Sequence, residues 1–383
     1  MTYTAPTVNY SATLNGTYTS LTGVQSVSIN RGRQRFQDNF PQTSCVIELI
    51  PADTYALPLA VGQFIDVRNV NTSAGAAYFT GVITDVSRKF AMPYNSGTGA
   101  APQDRITITA TGPTGQLGKT SLSNYSVANT SAIVEIILAA GANNVVTEHL
   151  ADSDKLTSAQ TFTGGLLDLI NTLLRTIQFL IDDIDAQRSV VYGDFITAFY
   201  PIGNASSLTF SDAGTVGAFK FSDLEYLSSV QNVFTEVEVV PAGLATQSAT
   251  SGAAPYNTLV YNTFNATTAN ALDLAEFILA TQSLVQVTPF SIATNTNIEP
   301  NCLGFAQLNV ASKLAPPIGV QILGSLITVI FRGTTVTAQI QGINTTFYPE
   351  YAAVQLYLSP SLGAPFTLDS TILGVLDQNK LGY

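Results

Sequence analysis

Apolar and polar residues alternate in short runs through the first third of the chain. The clearest runs are VQSVSI at 24–29, FIDVRNV at 64–70, YFTGVITDV at 78–86 and RITITAT at 105–111, and CVIELI at 45–50 predicts a compact apolar strand. Alternation of this kind gives a strand one buried face and one wet face, as in antiparallel sheets. A small barrel is the simplest arrangement for about five to seven such strands. Residues 91–103, rich in Gly, Pro, Asn and Ser, are expected to form an exposed loop.

The period changes after Gly112. Apolar residues at helical spacing predict helices over 131–141 and 166–177. A strand over 179–181, a turn over 182–187 and a β-branched strand over 189–192 follow the second helix. The middle of the chain is therefore expected to be an α+β domain, with a helix packed on a small sheet.

Strands return in the last third of the chain, around one more helix. The pattern predicts strands at 233–240, 306–310, 326–331, 335–343 and 354–358, a loop at 243–255 and a helix at 269–281. The predicted fold class is mainly β with an α+β insertion: two antiparallel β-barrel domains and an α+β middle domain. The expected divisions are an N-terminal arm (1–20), a first barrel (21–115), an α+β domain (116–225), a second β-barrel section (226–360) with a helical insertion (about 243–296), and a C-terminal tail (361–383).

Composition narrows the possible functions. Only 11% of the 383 residues are charged, 46% are hydrophobic, and the net charge is −11. A charge fraction well below the usual value of about 25% suggests a surface of Ser, Thr, Asn and Gly, or burial against partners. The acidic balance argues against tight binding to nucleic acid, which needs clustered Lys and Arg. DNA is expected at most as transient cargo in a channel.

Other features suggest a protein made in a cytoplasm. Cys45 and Cys302 lie in strand-like stretches without metal-site spacing, so two buried free thiols are expected; a disulfide or metal pair is the alternative. The first ten residues lack the basic start and apolar core of a signal peptide. The apolar stretch 166–184 contains too many polar residues to span a membrane.

Two motifs invite catalytic or metal-binding interpretations. Gly118, Lys119 and Thr120 resemble the end of a phosphate-binding loop, but Pro113 occupies the position of its first glycine and cannot donate a backbone N–H. A connecting loop is therefore expected. The cluster Asp182, Asp183 and Asp185 fits ordinary turn chemistry, and a calcium site is the alternative.

Two further features complete the search for a site. His149, the only histidine, is expected to lie on the surface or in a loop. Arg31, Arg33 and Arg35 alternate directly after a strand. Two interpretations stand equally: a basic strip that meets an acidic partner, or charged residues at a solvated strand edge. No catalytic, cofactor-binding or metal-binding residue is assigned.

Several stretches, taken in order, resemble the minor tail proteins of long-tailed phages that act as tail-tip hubs. These proteins are in turn similar to the baseplate hub of contractile tails. The stretches that carry the resemblance are VQSVSINRGRQRF (24–36), CVIELIP (45–51), VGQFIDVRNV (61–70), YFTGVITDVSRKF (78–90), LLDLINTLLRTIQFLIDDIDAQRSVVYGD (166–194), FSDLEYLSSVQNVFTEVEVV (221–240), QGINTTFYPEYAAVQLYLSP (341–360) and STILGVLDQNKLGY (370–383). The resemblance covers most of the chain from about residue 20 onward.

The resemblance implies two barrels related to the tail-tube fold, on either side of an α+β domain. It also implies a homotrimeric ring, without enzymatic activity or cofactors. The expected partners are a tail-tube or distal tail protein, fibre or spike proteins, and a tape-measure protein. The expected location is the virion, at the tail tip or baseplate, after assembly in the bacterial cytoplasm. Some members carry a peptidoglycan-cleaving domain, and none is expected here. A receptor- or carbohydrate-binding tail module is the alternative function.

Overall fold

A computed structural model shows a β-rich protein. It describes residues 3–13, 16–50, 58–69, 77–90, 104–127, 145–148, 160–185, 195–201, 205–227, 233–282, 288–310 and 322–360. The strands of the first half are β1 (Thr7–Ser11), β2 (Thr19–Ser20), β3 (Val24–Gly32), β4 (Ser44–Leu49), β5 (Phe64–Arg68), β6 (Ala77–Lys89), β7 (Arg105–Thr111), β8 (Ser121–Val127), β9 (Val145–Glu148), β10 (Gln160–Gly165), β11 (Phe179–Asp185) and β12 (Phe195–Pro201).

The second half contains ten described strands. They are β13 (Ala205–Ser211), β14 (Asp223–Leu227), β15 (Glu236–Pro241), β16 (Gln247–Thr250), β17 (Thr258–Thr263), β18 (Thr288–Asn295), β19 (Asn309–Val310), β20 (Leu326–Phe331), β21 (Thr334–Phe347) and β22 (Ala352–Pro360). The described helices are α1 (Pro113–Leu117), α2 (Leu166–Ile177) and α3 (Thr268–Gln282), with a 3-10 turn at Cys302–Phe305.

One large sheet joins the first β section of the chain to the second. Its strand order is β14-β18-β22-β21-β3-β4-β7-β6-β5-β1-β2, and β20 and β13 branch from β21. The joint is the antiparallel pair β3 and β21, in which Gly32 lies opposite Gly342 and Val27 opposite Phe347. The mainly β prediction is confirmed, although no closed barrel is found among the described strands. The two predicted β sections thus share one hydrogen-bonded sheet.

Helix α2 has the predicted bounds because its apolar spacing is regular. Its buried side chains include Leu166, Ile170, Leu173 and Ile177, at intervals of three and four residues, so they form one face. The helix ends at Gln178, whose backbone adopts the left-handed conformation with a φ of 56°. That residue turns the chain into β11, and the apolar face of α2 packs in the same core as β11 and the strands of the second β section.

Three apolar cores lie around the sheets. The first fills the β section built from β1 to β7. The second joins α2 to β20, β21 and β22. The third lies between α3 and the small sheet β16-β15-β17. Phe40 belongs to the second core and Phe36 to the third, so the turn after β3 contributes to two cores.

Some local predictions are wrong. The turn expected at 182–187 is instead the end of β11 as far as Asp185, because this segment pairs with β12. The loop expected at 243–255 contains β16, a strand with one buried residue, Ala249. Of the strand expected at 306–310, only Asn309–Val310 is a strand, because Ala306 and Leu308 are buried directly after the 3-10 turn. The N-terminal arm includes β1, which pairs with β5 in the large sheet. The predicted helix 131–141, strand 189–192 and loop 91–103 lie outside the described residues.

Candidate functional site

Arg31 is held at a buried position where three parts of the chain meet. Its Nε donates to Oδ1 of Asp182 at 3.2 Å, and its Nη2 donates to Oδ2 at 2.6 Å. Its Nη1 donates to the carbonyls of Ala306 and Gln307 at 3.1 and 3.2 Å. Arg31 comes from β3 and Asp182 from β11, while the carbonyls follow the 3-10 turn. One guanidinium therefore connects the first β section, the middle of the chain and the second β section.

The ion pair is shielded from water. The side chains of Arg31 and Asp182 are 3% and 2% exposed. Oδ1 of Asp182 also accepts a hydrogen bond from the backbone N–H of Asp183, at 2.9 Å. A buried ion pair is tolerated when the charge of each member is met by hydrogen bonds in good geometry. The bidentate hydrogen bonds between Arg31 and Asp182, together with those from Arg31 to the two carbonyls, meet that condition.

Asp183 points its buried carboxylate into the first β section. Thr114 donates to it twice, from its backbone N–H at 3.2 Å and from its hydroxyl at 3.3 Å. Burial raises the pKa of Asp183 to about 7, and the negative charge of Asp182 acts in the same direction. Hydrogen bonds from Thr43 and Thr114 oppose this shift. The carboxyl group is therefore partly protonated near neutral pH, while it ties β11 to α1.

Arg33 is also buried, although it lies beyond the end of β3. Its Nε donates to Oε1 of Gln341 in β21 at 2.8 Å, and its Nη1 donates to the carbonyl of Asp38 at 3.2 Å. The guanidinium lies 4.8 Å from the ring centre of Phe36 and 4.3 Å from that of Phe40, which are cation–π distances. Burial lowers the pKa of Arg33 to about 10.

Helix α2 holds the turn formed by residues 33–40. The side-chain amide of Asn171 accepts from the N–H of Phe40 at 2.9 Å and donates to its carbonyl at 3.2 Å. Arg175, one helical turn later, donates to the carbonyl of Gln37 at 3.2 Å. We refer to Arg31, Arg33, Asp182, Asp183 and Gln341 together as the arginine junction. Its side chains and this turn connect β3 to β11, α2 and β21.

Both sequence interpretations of the arginines are wrong for Arg31 and Arg33. These side chains meet neither a partner surface nor solvent, because they are 4% and 6% exposed. Only Arg35 remains at the surface, where it pairs with Asp38 at 3.1 Å. The turn interpretation of Asp182 and Asp183 is likewise wrong, because both are buried in a strand.

The remaining sequence candidates are not brought together. Gly118 and Lys119 follow the short helix α1, and a strand, β8, comes next where a phosphate-binding loop would need a helix. Cys45 and Cys302 are buried free thiols, as predicted, and burial raises the pKa of Cys302 to about 12. His149 lies outside the described residues. Within the described ranges, no three His, Cys, Asp or Glu residues cluster as a metal site needs.

Aromatic side chains at the surface are the feature that a carbohydrate-binding module would use. Tyr348 and Tyr351 stack at the tip of the β21–β22 hairpin, with ring centres 4.8 Å apart. Both are 37% exposed, and Tyr3 donates from its hydroxyl to the carbonyl of Tyr348 at 2.8 Å. Phe90 and Tyr256 are also exposed. The pair at the hairpin tip forms a small, partly exposed aromatic surface.

Comparison with known proteins gives matches in structure only. No family model and no curated protein sequence matches the chain. The 43 kDa tail protein of prophage MuSo2 from Shewanella oneidensis matches with a TM-score of 0.56 and 13% identity, over 94% of this chain and 98% of that one. The tail protein from Neisseria meningitidis MC58 matches with a TM-score of 0.56 and 13% identity, over 92% and 96%.

A third solved structure has the same architecture. The prophage tail protein gp18 from Listeria monocytogenes EGD-e matches with a TM-score of 0.51 and 13% identity, over 93% of this chain and 95% of that one. In the described part of the chain, no helix has the length and apolar character needed to cross a membrane. The predicted resemblance to phage tail proteins is confirmed at the level of structure. This chain has the fold of phage tail proteins along almost its whole length.

Proposed function

We propose that the chain is a structural virion protein that forms the hub of a phage tail tip or baseplate. In this role it connects the tail tube to the distal fibre or spike apparatus. The observation that carries the proposal is the shared fold, which extends over 94% of this chain and 98% of a prophage tail protein. The proposal includes no catalytic role and no cofactor.

The proposed assembly is a homotrimeric ring. Each copy would contribute its two β sections, 21–115 and 226–360, as tail-tube-like barrels, with the domain 116–225 between them. Low charge supports self-association, since 11% charged residues leave much surface for burial against other chains. The proposed neighbours are a tail-tube or distal tail protein, fibre or spike proteins and the tape-measure protein. DNA would pass at most through the lumen, and assembly would take place in the host cytoplasm.

The arginine junction supports a role in which the chain bears load. The two β sections are joined by the β3–β21 ladder, and Arg31 and Arg33 add side-chain contacts from β3 and the residue after it to the second β section. A protein at a tail tip transmits force between the tube and the fibres, so its two barrels need a fixed geometry. Buried, charge-assisted hydrogen bonds fix geometry more narrowly than apolar contacts do, because they depend on direction as well as distance.

Oligomeric state is the first test of the proposal. We expect mass photometry or analytical ultracentrifugation of the full chain to show a trimer, or a ring that forms when tail-tube protein is added. A glycan array would run in parallel with the wild type and with Tyr351→Ser, a change on the exposed hairpin. A chain that stays monomeric with tail-tube protein, and binds glycans through Tyr351, would overturn the hub proposal in favour of a carbohydrate-binding tail module.

A further inference from the structure

A small cavity lies beside the arginine junction. The turn 33–40, the C-terminal half of α2 and strand β17 enclose it, and its lining includes Arg33, Asp38, Arg175, Gln178 and Tyr261. The volume available to the centre of a water molecule inside it is about 10 Å³. A single water molecule needs about 10–15 Å³ by that measure. The space therefore suits one water-sized molecule.

Two residues that line the cavity each have a side-chain polar atom without a hydrogen-bond partner among the described residues. These atoms are Oε1 of Gln178 and the hydroxyl oxygen of Tyr261, and both atoms are buried. The two residues are 7% and 4% exposed. The orientation of the Gln178 side-chain amide is fixed by its NH₂ group, because Nε2 donates to the carbonyl of Arg175 at 2.6 Å. Buried polar atoms in folded proteins nearly always have a partner, which is often an ordered water.

The charges around the cavity restrict what it can hold. The buried guanidinium of Arg33 has no carboxylate within ion-pair distance in the part of the chain that the structure describes, and Arg175 lies over the ring of Tyr261 at 5.2 Å. Two guanidinium groups disfavour a cation. The acceptor Oε1 of Gln178 disfavours an anion, because it needs a donor. A molecule that both donates and accepts satisfies every group.

We propose that the cavity is a binding site for one ordered water molecule. The water donates a hydrogen bond to Oε1 of Gln178 and forms a second with the hydroxyl of Tyr261, beside the guanidinium groups. It thereby links the end of α2 to β17 behind the turn 33–40. This site does not depend on the proposed function, since it concerns the interior of one chain.

Crystallography of the full chain tests the site directly. We expect a density peak at hydrogen-bond distance, about 2.7–3.2 Å, from both Gln178 Oε1 and the Tyr261 hydroxyl. A second crystal grown in bromide distinguishes water from a halide, because bromide scatters anomalously. A peak without anomalous signal supports the proposal. An empty cavity, or an anomalous peak that marks a bound halide, overturns it.

Two conservative variants test whether the water couples the two side chains. Tyr261→Phe removes only the hydroxyl, and Gln178→Met removes the amide with similar volume. Each single change is expected to speed hydrogen exchange in residues 33–40 about fivefold, the factor for one typical hydrogen bond. Once the water is lost, the second change adds little, so the double variant is expected to resemble the single ones. Tyr256→Phe, at an exposed tyrosine, serves as the matched control. If the double variant speeded hydrogen exchange by the product of the two single factors, the result would contradict a shared water.

Discussion

Removal of one member of the Arg31–Asp182 pair is expected to open the junction between the β sections. Arg31→Met removes two hydrogen bonds to Asp182 and two to the carbonyls of Ala306 and Gln307. It also leaves the carboxylate of Asp182, 2% exposed, without its cation. Breaking a buried pair from one side costs about 3–5 kcal/mol. The same reasoning applies to Asp182→Leu, which leaves the buried guanidinium of Arg31 without its carboxylate.

Replacement of both partners is expected to cost much less than the sum of the single changes. In Arg31→Met with Asp182→Leu no buried charge remains, and a buried pair replaced by apolar residues of similar size is often close to neutral. We therefore expect the double variant to lose no more stability than either single variant, which corresponds to a coupling free energy of at least about 3–5 kcal/mol in the double-mutant cycle. Hydrogen exchange followed by mass spectrometry is the suitable assay, because peptides from β3 and β11 report local opening without a two-state assumption.

The control uses the same substitution a few residues away. Arg35 pairs with Asp38 at the surface, and its side chain is 50% exposed. An exposed pair contributes about 0.2–1 kcal/mol, so Arg35→Met should leave exchange in β3 and β11 almost unchanged. The reasoning would be refuted if Arg31→Met behaved like Arg35→Met, or if the double variant lost as much stability as the two single variants together.

Three further predictions concern buried groups other than the Arg31–Asp182 pair. Because the folded-state pKa of Asp183 is raised to about 7 and the unfolded value is about 3.9, its contribution to stability is complete below pH 4 and declines as the pH rises to 7. Denaturant titrations should therefore show wild type losing stability relative to Asp183→Asn over that range, by up to about 1.4 kcal/mol per pH unit; a constant difference would contradict the buried, raised pKa. Gly112→Ala would place a methyl group against the Asp183 carboxylate, so we expect a loss of about 1–3 kcal/mol in chemical unfolding, whereas Gly118→Ala, whose nearest atom would be 3.6 Å away, should be nearly neutral. Cys45 and Cys302 are buried thiols whose pKa values are raised by burial, so intact-mass measurements should find alkylation only after unfolding; rapid modification of the folded chain would show that a thiol is accessible.

The strands and helices that the sequence predicted well have their apolar residues at regular intervals. Helix α2 matches its predicted bounds because a full turn-by-turn stripe of Leu and Ile lies on one face. Strand β7 matches because RITITAT alternates without interruption. The prediction failed where strand pairing, rather than the pattern of apolar residues, decides the structure. The segment QSAT (247–250) forms β16 because it pairs antiparallel with β15. Its own side chains carry little information about a strand.

The candidate site was harder to predict because its meaning depends on distant residues. Arg31 and Asp182 are 151 positions apart, and Arg33 and Gln341 are 308 apart. An arginine after a strand is normally a surface residue, and paired aspartates normally mark a turn. Each becomes a buried residue only when the fold supplies the opposite charge or an acceptor. A single sequence does not show which distant groups will meet.

A pair of glycines explains why the arginines can point inward at this position. Gly32 lies opposite Gly342 in the β3–β21 ladder, and its φ of 74° belongs to the left-handed region that favours glycine. A side chain on Gly32 would meet the carbonyl oxygen of Gln341, and one on Gly342 would meet that of Arg33. The two backbones thus approach more closely than side chains would permit. This close approach brings Gln341 within reach of Arg33, and the bend at Gly32 lets Arg31 and Arg33, on either side of it, reach different partners. The joint between the two β sections therefore requires Gly32 as much as it requires the charged side chains of Arg31 and Arg33.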